Sequence, residues 1–331
     1  MKTSSISRVG LLLCIAFAPM HAAIAIADAL ESGLPMPEAT WYASAEAFLL
    51  QLNHGANGNT PVILNSTSGD TLLGTNNLNY SMQAGPKLVL GRAMGDGGAV
   101  ELVYFGLNDW NTSGTVTGNN DLRIPGDLGL STLDFFNADQ LTASQSASLN
   151  NVEANAWQRI NNGPVSLMTG FRYFNLDEQF GISGQDSDTG ASNYTVRTRN
   201  NLFGAQLGGR YREMFGTNRR FGVEATAKAG LFGNNVGMNQ FVSDSDNTAV
   251  LRNTAVNASQ VAFVGDLGFT GIMRVTDRVN ARIGYSLIWA EGVARAANQL
   301  DFTDTATSGT SITYGQNAFL QGINIGLETG W

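Results

Sequence analysis

Charged residues are scarce in this chain. They make up 14% of its 331 residues, whereas soluble domains average about 25%. Proline is also scarce, at 7 residues, while glycine reaches 39. This combination argues against a collagen-like chain and against a highly charged, disordered one.

Long apolar runs and a positive net charge are missing as well. Beyond the N-terminus, no apolar run approaches the roughly 18 residues that a membrane-spanning helix needs, and the mean hydropathy is −0.06. The net charge is −8 and the isoelectric point is about 4.8. The sequence therefore predicts neither a helical membrane protein nor a broad basic surface for nucleic acid.

The first residues have the three parts of an export signal. Lys2 and Arg8 form a positive region, residues 9–18 are apolar, and the triplet Ala25-Ile26-Ala27 fits a small-x-small cleavage site. We therefore predict that residues 1–27 are a cleaved signal peptide. A membrane anchor is the alternative, but an apolar stretch of about ten residues is too short to span a bilayer.

Cysteine is confined to this predicted signal peptide. Its single occurrence, Cys14, follows Leu13 and not a small residue, so the pattern does not indicate a lipoprotein. The mature chain then has no cysteine. This excludes disulfides, thiolate catalysis and cysteine-ligated metals.

Apolar and polar residues alternate along most of the mature chain, which predicts β-strands. The clearest segment is 221–232, where Phe221, Val223 and later odd-numbered apolar residues alternate with polar positions such as Glu224 and Lys228. Placing Glu224 or Lys228 in lipid would cost about 2–4 kcal/mol near the bilayer centre. We therefore expect this polar face to point into a barrel. Three further copies of the pattern and six weaker ones bring the number of predicted strands to ten.

The connections between these strands alternate in length. The short ones are rich in glycine and asparagine and cover 91–98, 160–164, 214–218 and 274–277. The long ones cover 53–78, 108–147, 175–197, 233–259 and 292–315. Short turns at one end and long loops at the other are typical of bacterial outer-membrane barrels. A soluble β-sandwich also alternates, but its outer face is usually rich in charges, and here both faces are poor in them.

The predicted fold is an all-β, antiparallel, up-and-down transmembrane β-barrel of ten strands over 41–331, after a periplasmic segment 28–40. Twelve strands would result if 108–147 contained a hairpin. The C-terminal strand resembles the signal by which outer-membrane barrels are recognised for insertion, although such strands usually end in Phe. Its residues are Ile323, Ile325, Leu327 and Trp331. Expected partners are outer-membrane lipid and the barrel assembly machinery. The oligomeric state is left open.

Several stretches are similar to the putative beta-barrel porin-7 family of planctomycete-type outer-membrane barrels. They include Trp41 with Glu46, Gly85-Pro86-Lys87, Gly170-Phe171-Arg172-Tyr173 followed by Asp177-Glu178, the run 201–208 and the run 228–234. No single motif is specific, but their order and spacing cover most of the mature chain. The resemblance implies a porin-like barrel in the bacterial outer membrane, with no defined substrate and no catalytic residues.

Acidic and basic residues nearly balance at the positions predicted to line the lumen. These candidates are Glu46, Lys87, Glu101, Arg172, Arg210, Glu224, Lys228, Asp266, Arg282 and Glu328. A selective pore more often has an excess of one sign at its constriction. The residues fit either a charge-balanced channel or a core filled by ion pairs, because small barrels are filled by side chains.

The expected function is porin-like passive permeation of small polar solutes or ions, and the alternative is a structural or surface-interaction barrel that acts through acidic loops. We expect no enzyme activity, because the only mature histidine, His54, lies in a polar loop without a catalytic partner. We expect no cofactor.

Alternating aspartates give two weak Ca²⁺ candidates, Asp186 with Asp188 and Asp244 with Asp246. The apolar residues of 122–136 predict that 108–147 packs on the barrel mouth or plugs it.

Overall fold

The computed structural model describes residues 39–53, 58–187, 190–244 and 249–331. The predicted signal peptide and nearly all of the predicted periplasmic segment lie outside these residues. So do His54, Asp188 and Asp246.

Ten long antiparallel strands form a closed barrel, which confirms the predicted fold class. The barrel strands are β1 (Ala39–Leu52), β4 (Gln83–Met94), β5 (Gly98–Arg123), β6 (Phe136–Arg159), β7 (Val165–Asp186), β8 (Gly190–Phe215), β9 (Phe221–Asp244), β10 (Ala249–Arg274), β11 (Val279–Val293) and β12 (Gln316–Gly330). Strand β1 pairs on one side with β4 and on the other with β12, and pairing of β5 with β6 closes the wall.

Two short strands and a one-turn helix lie at the end with the long connections. Strands β2 (Pro61–Asn65) and β3 (Thr71–Gly74) pair with each other, and β2 also pairs with the tip of β5. They come from the first long connection. The helix α1 (Leu128–Ser131) joins β5 to β6. The segment 108–147 therefore adds no spanning strand, since most of it extends β5 and β6.

Much of the chain that we expected in loops is strand, so three predicted loop boundaries are wrong. Strands β7 and β8 continue until only residues 187–189 separate them, and β9 and β10 until only 245–248 do. Strands β5 and β6 likewise leave a connection of 124–135. Beyond residue 232, β9 adds twelve residues, or about 40 Å of strand at roughly 3.3 Å per residue. The barrel wall thus rises well above the membrane.

The physical reason for these wrong boundaries is a reversal of polarity along each long strand. On β9, the outward residues from Phe221 to Leu231 are apolar or small, and the following outward residues are Gly233, Asn235, Gly237 and Asn239. The inward residues change in the opposite sense, from Glu224 and Lys228 to Phe232 and Val236. The eleven residues 221–231 match the length that a tilted strand needs to cross a bilayer. Above them, the wall has the polar exterior and apolar interior of a soluble β-protein.

This boundary predicts different costs for one substitution at two outward positions of β9. Ala227→Arg should lower the free energy of unfolding in lipid vesicles by about 2–4 kcal/mol, because position 227 lies in the middle of the apolar belt. Asn239→Arg should change it by less than about 0.5 kcal/mol, since exposed surface sites tolerate substitution. Both side chains are exposed. Urea titration of the two variants checks the difference, and equal costs would contradict the assigned boundary.

In the described part of the chain, no helix has the length and apolar character needed to cross a membrane.

The interior of the barrel contains two apolar clusters at different heights. The first joins Phe48, Phe105, Phe174 and Phe232 with neighbouring aliphatic residues, and the second lies nearer the long connections and includes Val62, Leu128, Phe135 and Tyr194. Charged and polar residues fill the lumen below the first cluster.

Candidate functional site

The lumen near the short turns contains a network of ion pairs. Glu101 on β5 receives two hydrogen bonds from the Arg210 guanidinium on β8, each 3.0 Å long. The Tyr42 hydroxyl and the Trp157 indole N–H donate to the same carboxylate at 2.8 and 2.6 Å. Arg210 also lies over the Trp157 ring, 4.0 Å from its centroid. Glu101 and its three partners lie on four different strands, so this carboxylate fixes side chains across the barrel.

Arg282 on β11 contacts three carboxylates at once. Its guanidinium donates to Glu46 at 3.0 Å, to Glu224 at 2.7 Å and to Glu328 at 2.6 Å. Arg212 on β8 pairs with Glu328 from the opposite side of the lumen and approaches Glu224 within 3.5 Å. The lumen is therefore crossed by these side chains, which do not simply lie along its wall.

Glu153 on β6 is the centre of a second group of contacts. Lys228 on β9 donates to it at 2.7 Å, and the side-chain amides of Asn155 and Gln206 donate at 2.9 Å. Arg172 lies directly opposite Glu153 in the β6–β7 register but forms its closest ion pair with Asp266 on β10. Both the Lys228–Glu153 and the Arg172–Asp266 pairs thus span the interior.

The structure places all ten predicted lumen candidates on the inward face. Nine of them border a cavity of about 120 Å³, which has room for a few water molecules, and Arg172 lies beside it through its contact with Asp266. Their role in conduction stays a prediction. Glu153 and Arg212 also lie on the inward face, as the alternation of their segments predicts. With these two, the layer has six acidic and six basic residues, each in an ion pair.

Solvent exposure within this ionic layer is uneven. The Arg212 side chain, nearest the short turns, is 31% exposed, whereas the Arg172 and Glu153 side chains are 0% and 1% exposed. We name the space between these levels the vestibule. The partners of Arg172 and Glu153, Asp266 and Lys228, are 14% and 15% exposed, so water has only limited access to the deepest ion pairs of the vestibule.

An apolar layer closes the lumen directly above the vestibule. Phe48 follows Glu46 by two residues on the inward face of β1, and Phe174 follows Arg172 in the same way on β7. We name this layer the septum, and its main members are Phe48, Phe105, Phe174, Leu202, Phe232, Val264, Ile288 and Leu320, all at most 3% exposed. Phe48 and Phe105 meet edge to face with ring centroids 5.2 Å apart. The septum separates the two ends of the lumen.

The last connection folds into the barrel above the septum. We name residues 292–303 the plug segment. Its Arg295 forms two hydrogen bonds with Glu178 on the inward face of β7, at 2.8 and 2.7 Å, and both side chains are 0% exposed. Burial disfavours the charged form of Arg295, but the adjacent Glu178 carboxylate more than offsets it and raises the pKa of Arg295. Two further hydrogen bonds join Asn200 of β8 to the backbone of Ala294, each 2.8 Å long.

The distal half of the plug segment is held by β8 and by two further strands, β9 and β10. The Gln240 amide of β9 donates to the Gln299 carbonyl at 2.7 Å, and Arg252 of β10 donates to the Asp301 carbonyl at 2.7 Å. The Asp301 N–H donates to the Tyr194 hydroxyl of β8 at 2.8 Å. Burial raises the pKa of Tyr194 to about 12, so this hydroxyl stays neutral. These hydrogen bonds fix the plug segment to the inner wall of the barrel.

The plug position is occupied by this last connection and not by 108–147, for which sequence analysis left two placements open. Leu122, Ile124, Leu128 and Phe135 are buried at the mouth of the barrel, while Leu130 is 56% exposed. The segment therefore packs over the mouth. The apolar composition of 122–136 predicted this packing. The plug segment is held mainly by polar contacts, and no apolar periodicity in its sequence indicates that it folds into the barrel.

Only one aspartate of each weak Ca²⁺ candidate pair lies within the described residues. Asp186 ends β7, and Asp244 ends β9, where its carboxylate accepts hydrogen bonds from the Ser192 hydroxyl at 2.9 Å and from the Leu133 N–H at 3.4 Å. Among the described residues, no group of three or more His, Cys, Asp or Glu side chains could hold a metal.

The predicted insertion signal forms the outer face of β12. Ile323, Ile325 and Leu327 point outward and are 43%, 53% and 55% exposed. The backbone of Trp331 exchanges two hydrogen bonds with Trp41 on β1, at 2.9 and 2.8 Å. The C-terminal residue thus completes the β1–β12 closure. Recognition by the assembly machinery stays a prediction.

Comparison with known proteins gives one family and several similar structures. A family model described as "Putative beta barrel porin-7 (BBP7)" matches residues 44–331. The outer membrane protease OmpT from Escherichia coli is 10% identical, with 88% of this chain and 96% of that chain covered and a TM-score of 0.37. The translocator domain of the autotransporter NalP from Neisseria meningitidis is 10% identical, with 92% of each chain covered and a TM-score of 0.38. No curated protein matches the sequence.

Proposed function

The chain belongs to the putative beta barrel porin-7 family of porin-like outer-membrane barrels, and we propose that its barrel is a closed scaffold. In this proposal it spans the outer membrane, passes no ions in its resting form and holds a rigid β-structure outside the membrane. This is the alternative function predicted from the sequence, a structural or surface-interaction barrel.

The observation that supports this function best is the septum. Its side chains are at most 3% exposed and come from eight of the ten barrel strands. An ion entering this layer would lose its hydration without gaining polar partners, which costs many kcal/mol. Above the septum, the plug segment fills the lumen, and below it the ionic layer has each charge paired. Three successive layers therefore oppose conduction.

The shape of the wall favours the scaffold part of the proposal. Strands β5 to β10 continue beyond the apolar belt as a curved six-stranded sheet with polar residues outside and apolar residues inside. A barrel that only conducted solutes would need no such height. The extended sheet offers a rigid surface on the outside of the cell.

Single-channel recording tests the proposal. The refolded protein in a planar bilayer with about 1 M KCl should give no stable current steps. A Phe105→Gly/Phe174→Gly/Arg295→Ala variant, which thins the septum from two sides and releases the plug segment, should leak. Heat-modifiable gel mobility of both proteins checks that they are folded. Steps in the unmodified protein that scale with salt concentration would refute the closed state.

Passive permeation is the second candidate, and the vestibule favours it. The vestibule is hydrated from one end and its charges balance, so it suits small polar solutes of either sign. Permeation would require the septum and the plug segment to move. In that case, liposomes containing the protein should swell in a small polar solute such as urea, and Lys228→Gln should change the ion preference of any current.

A further inference from the structure

Arginines surround the end of the barrel that has the short turns. Each of the four turns has at least one arginine within it or near the end of an adjoining strand. Together they are Arg92, Arg159, Arg219, Arg220, Arg274 and Arg278, which we name the basic rim. Within the part of the chain that the structure describes, none of the six forms an ion pair, whereas every cation of the ionic layer does. Arg92, Arg159, Arg219 and Arg220 are exposed, and Arg274 and Arg278 are half-buried, so most of the charge of the rim is accessible at the surface.

The local charge of this rim opposes that of the whole chain. The four turns and the adjoining strand ends contain only three acidic residues, Asp96, Glu213 and Asp277, although the chain has a net charge of −8. The Glu213 carboxylate already accepts a hydrogen bond from the Tyr211 hydroxyl. A net positive surface on an acidic protein fits an anionic partner.

The basic rim adjoins the apolar belt of the barrel. Outward aromatic residues mark the edge of this belt: Trp41, Phe215 and Phe221 are 41%, 51% and 47% exposed. The Arg92 guanidinium lies over the Trp41 ring, 5.5 Å from its centroid, and faces outward in register with it. Exposed aromatic residues at this position typically lie at the level of lipid headgroups. The arginines are thus at the height of phosphates.

We propose that the basic rim binds the phosphates of anionic phospholipids in the periplasmic leaflet. Guanidinium groups match phosphate oxygens with paired hydrogen bonds, which ammonium groups do not reproduce. The rim is continuous with the lipid-facing belt, and its charge is complementary to that of the headgroups. A ring of such contacts would fix the depth and tilt of the barrel.

Spin-label spectroscopy tests this inference. The refolded protein is placed in phosphatidylcholine vesicles with a trace of spin-labelled phosphatidylglycerol or phosphatidylcholine, and the motionally restricted fraction of each label is measured. Phosphatidylglycerol should be favoured by about threefold at low salt, and the preference should fall as salt rises. A variant with all six arginines changed to glutamine should lose it, whereas a variant with six lysines should keep part of it.

The matched control lies at the opposite edge of the belt. Arg197 and Arg199 face outward on β8 above the boundary, and Arg197→Gln/Arg199→Gln should leave the preference unchanged. Equal restriction of both labels by the unmodified protein, or an unchanged preference in the six-glutamine variant, would overturn the proposal. The acidic residues Asp28, Glu31 and Glu38 precede β1 in the sequence. If the preference for phosphatidylglycerol appeared only after these three residues were neutralised, the basic rim would be the binding surface for that acidic segment. This result would also overturn the proposal.

Discussion

Replacing Arg295 with alanine should release the plug segment while the barrel wall stays folded. The substitution leaves the Glu178 carboxylate buried without its ion-pair partner, and breaking a buried pair in this way costs about 3–5 kcal/mol. The plug segment is one connection and not a wall strand, so we expect the cost to appear as local opening. Its opened population should rise about 10²–10⁴-fold.

Thermolysin digestion of the folded protein measures this opening. Because cleavage follows the population of the opened form when opening is fast, the Arg295→Ala variant should be cut within 294–315 and the unmodified protein should resist. Arg199→Ala is the matched control, since its pair with Asp177 lies nearby but the Arg199 side chain is 62% exposed; such pairs contribute less than about 1 kcal/mol. Equal resistance of all three proteins would contradict the anchoring role of Arg295.

A compensated variant separates loss of the ion pair from loss of the fold. Glu178→Leu/Arg295→Met replaces both charges with apolar groups of similar length, and such replacements are often neutral or stabilising. This double variant should regain most of the protease resistance. If it is cut as readily as Arg295→Ala, the ion pair itself is not what holds the plug segment.

Replacing Arg282 with methionine should destabilise the whole barrel. Arg282 contacts Glu46, Glu224 and Glu328, which are on three different strands. Without it, three largely buried carboxylates remain close together, and we expect a loss of about 3–5 kcal/mol in the free energy of unfolding. Urea unfolding in detergent or lipid, followed by tryptophan fluorescence, measures the loss.

Two further variants make the result specific. Arg282→Lys keeps the charge but offers one ammonium group in place of a planar guanidinium, so it should recover only part of the loss. Arg92→Met removes an arginine from the exposed rim and should cost less than about 1 kcal/mol. A loss for Arg92→Met as large as that for Arg282→Met would show that net charge, and not the internal network, sets the stability.

The spanning part of the fold follows from the sequence because the membrane imposes a simple rule on it. Residues 221–231 alternate strictly between an apolar outward face and a polar inward face, and the structure has them in β9 as predicted. From residue 232 the rule reverses, since water is outside and an apolar core is inside. The alternation itself continues, but its inverted polarity led to the prediction of loops there.

The candidate site could be predicted only in part. Register accounts for local pairs, because Glu46 lies directly opposite Lys87 on the neighbouring strand. Contacts across the lumen, such as Arg212 with Glu328, depend on barrel closure and on side-chain length. The Arg295–Glu178 pair joins residues 117 positions apart, and no local pattern indicates that the last connection folds inward.

Cysteine accessibility tests the closed lumen most directly, because the predicted mature chain has no cysteine of its own. Single cysteines can replace Thr226 in the vestibule, Leu202 in the septum and Asn235 on the outer face above the belt. A charged, water-soluble thiol reagent should label positions 226 and 235 rapidly in the folded protein and leave position 202 unlabelled until it is unfolded. Rapid labelling of position 202 in the folded barrel would show a water-filled lumen and contradict the closed state.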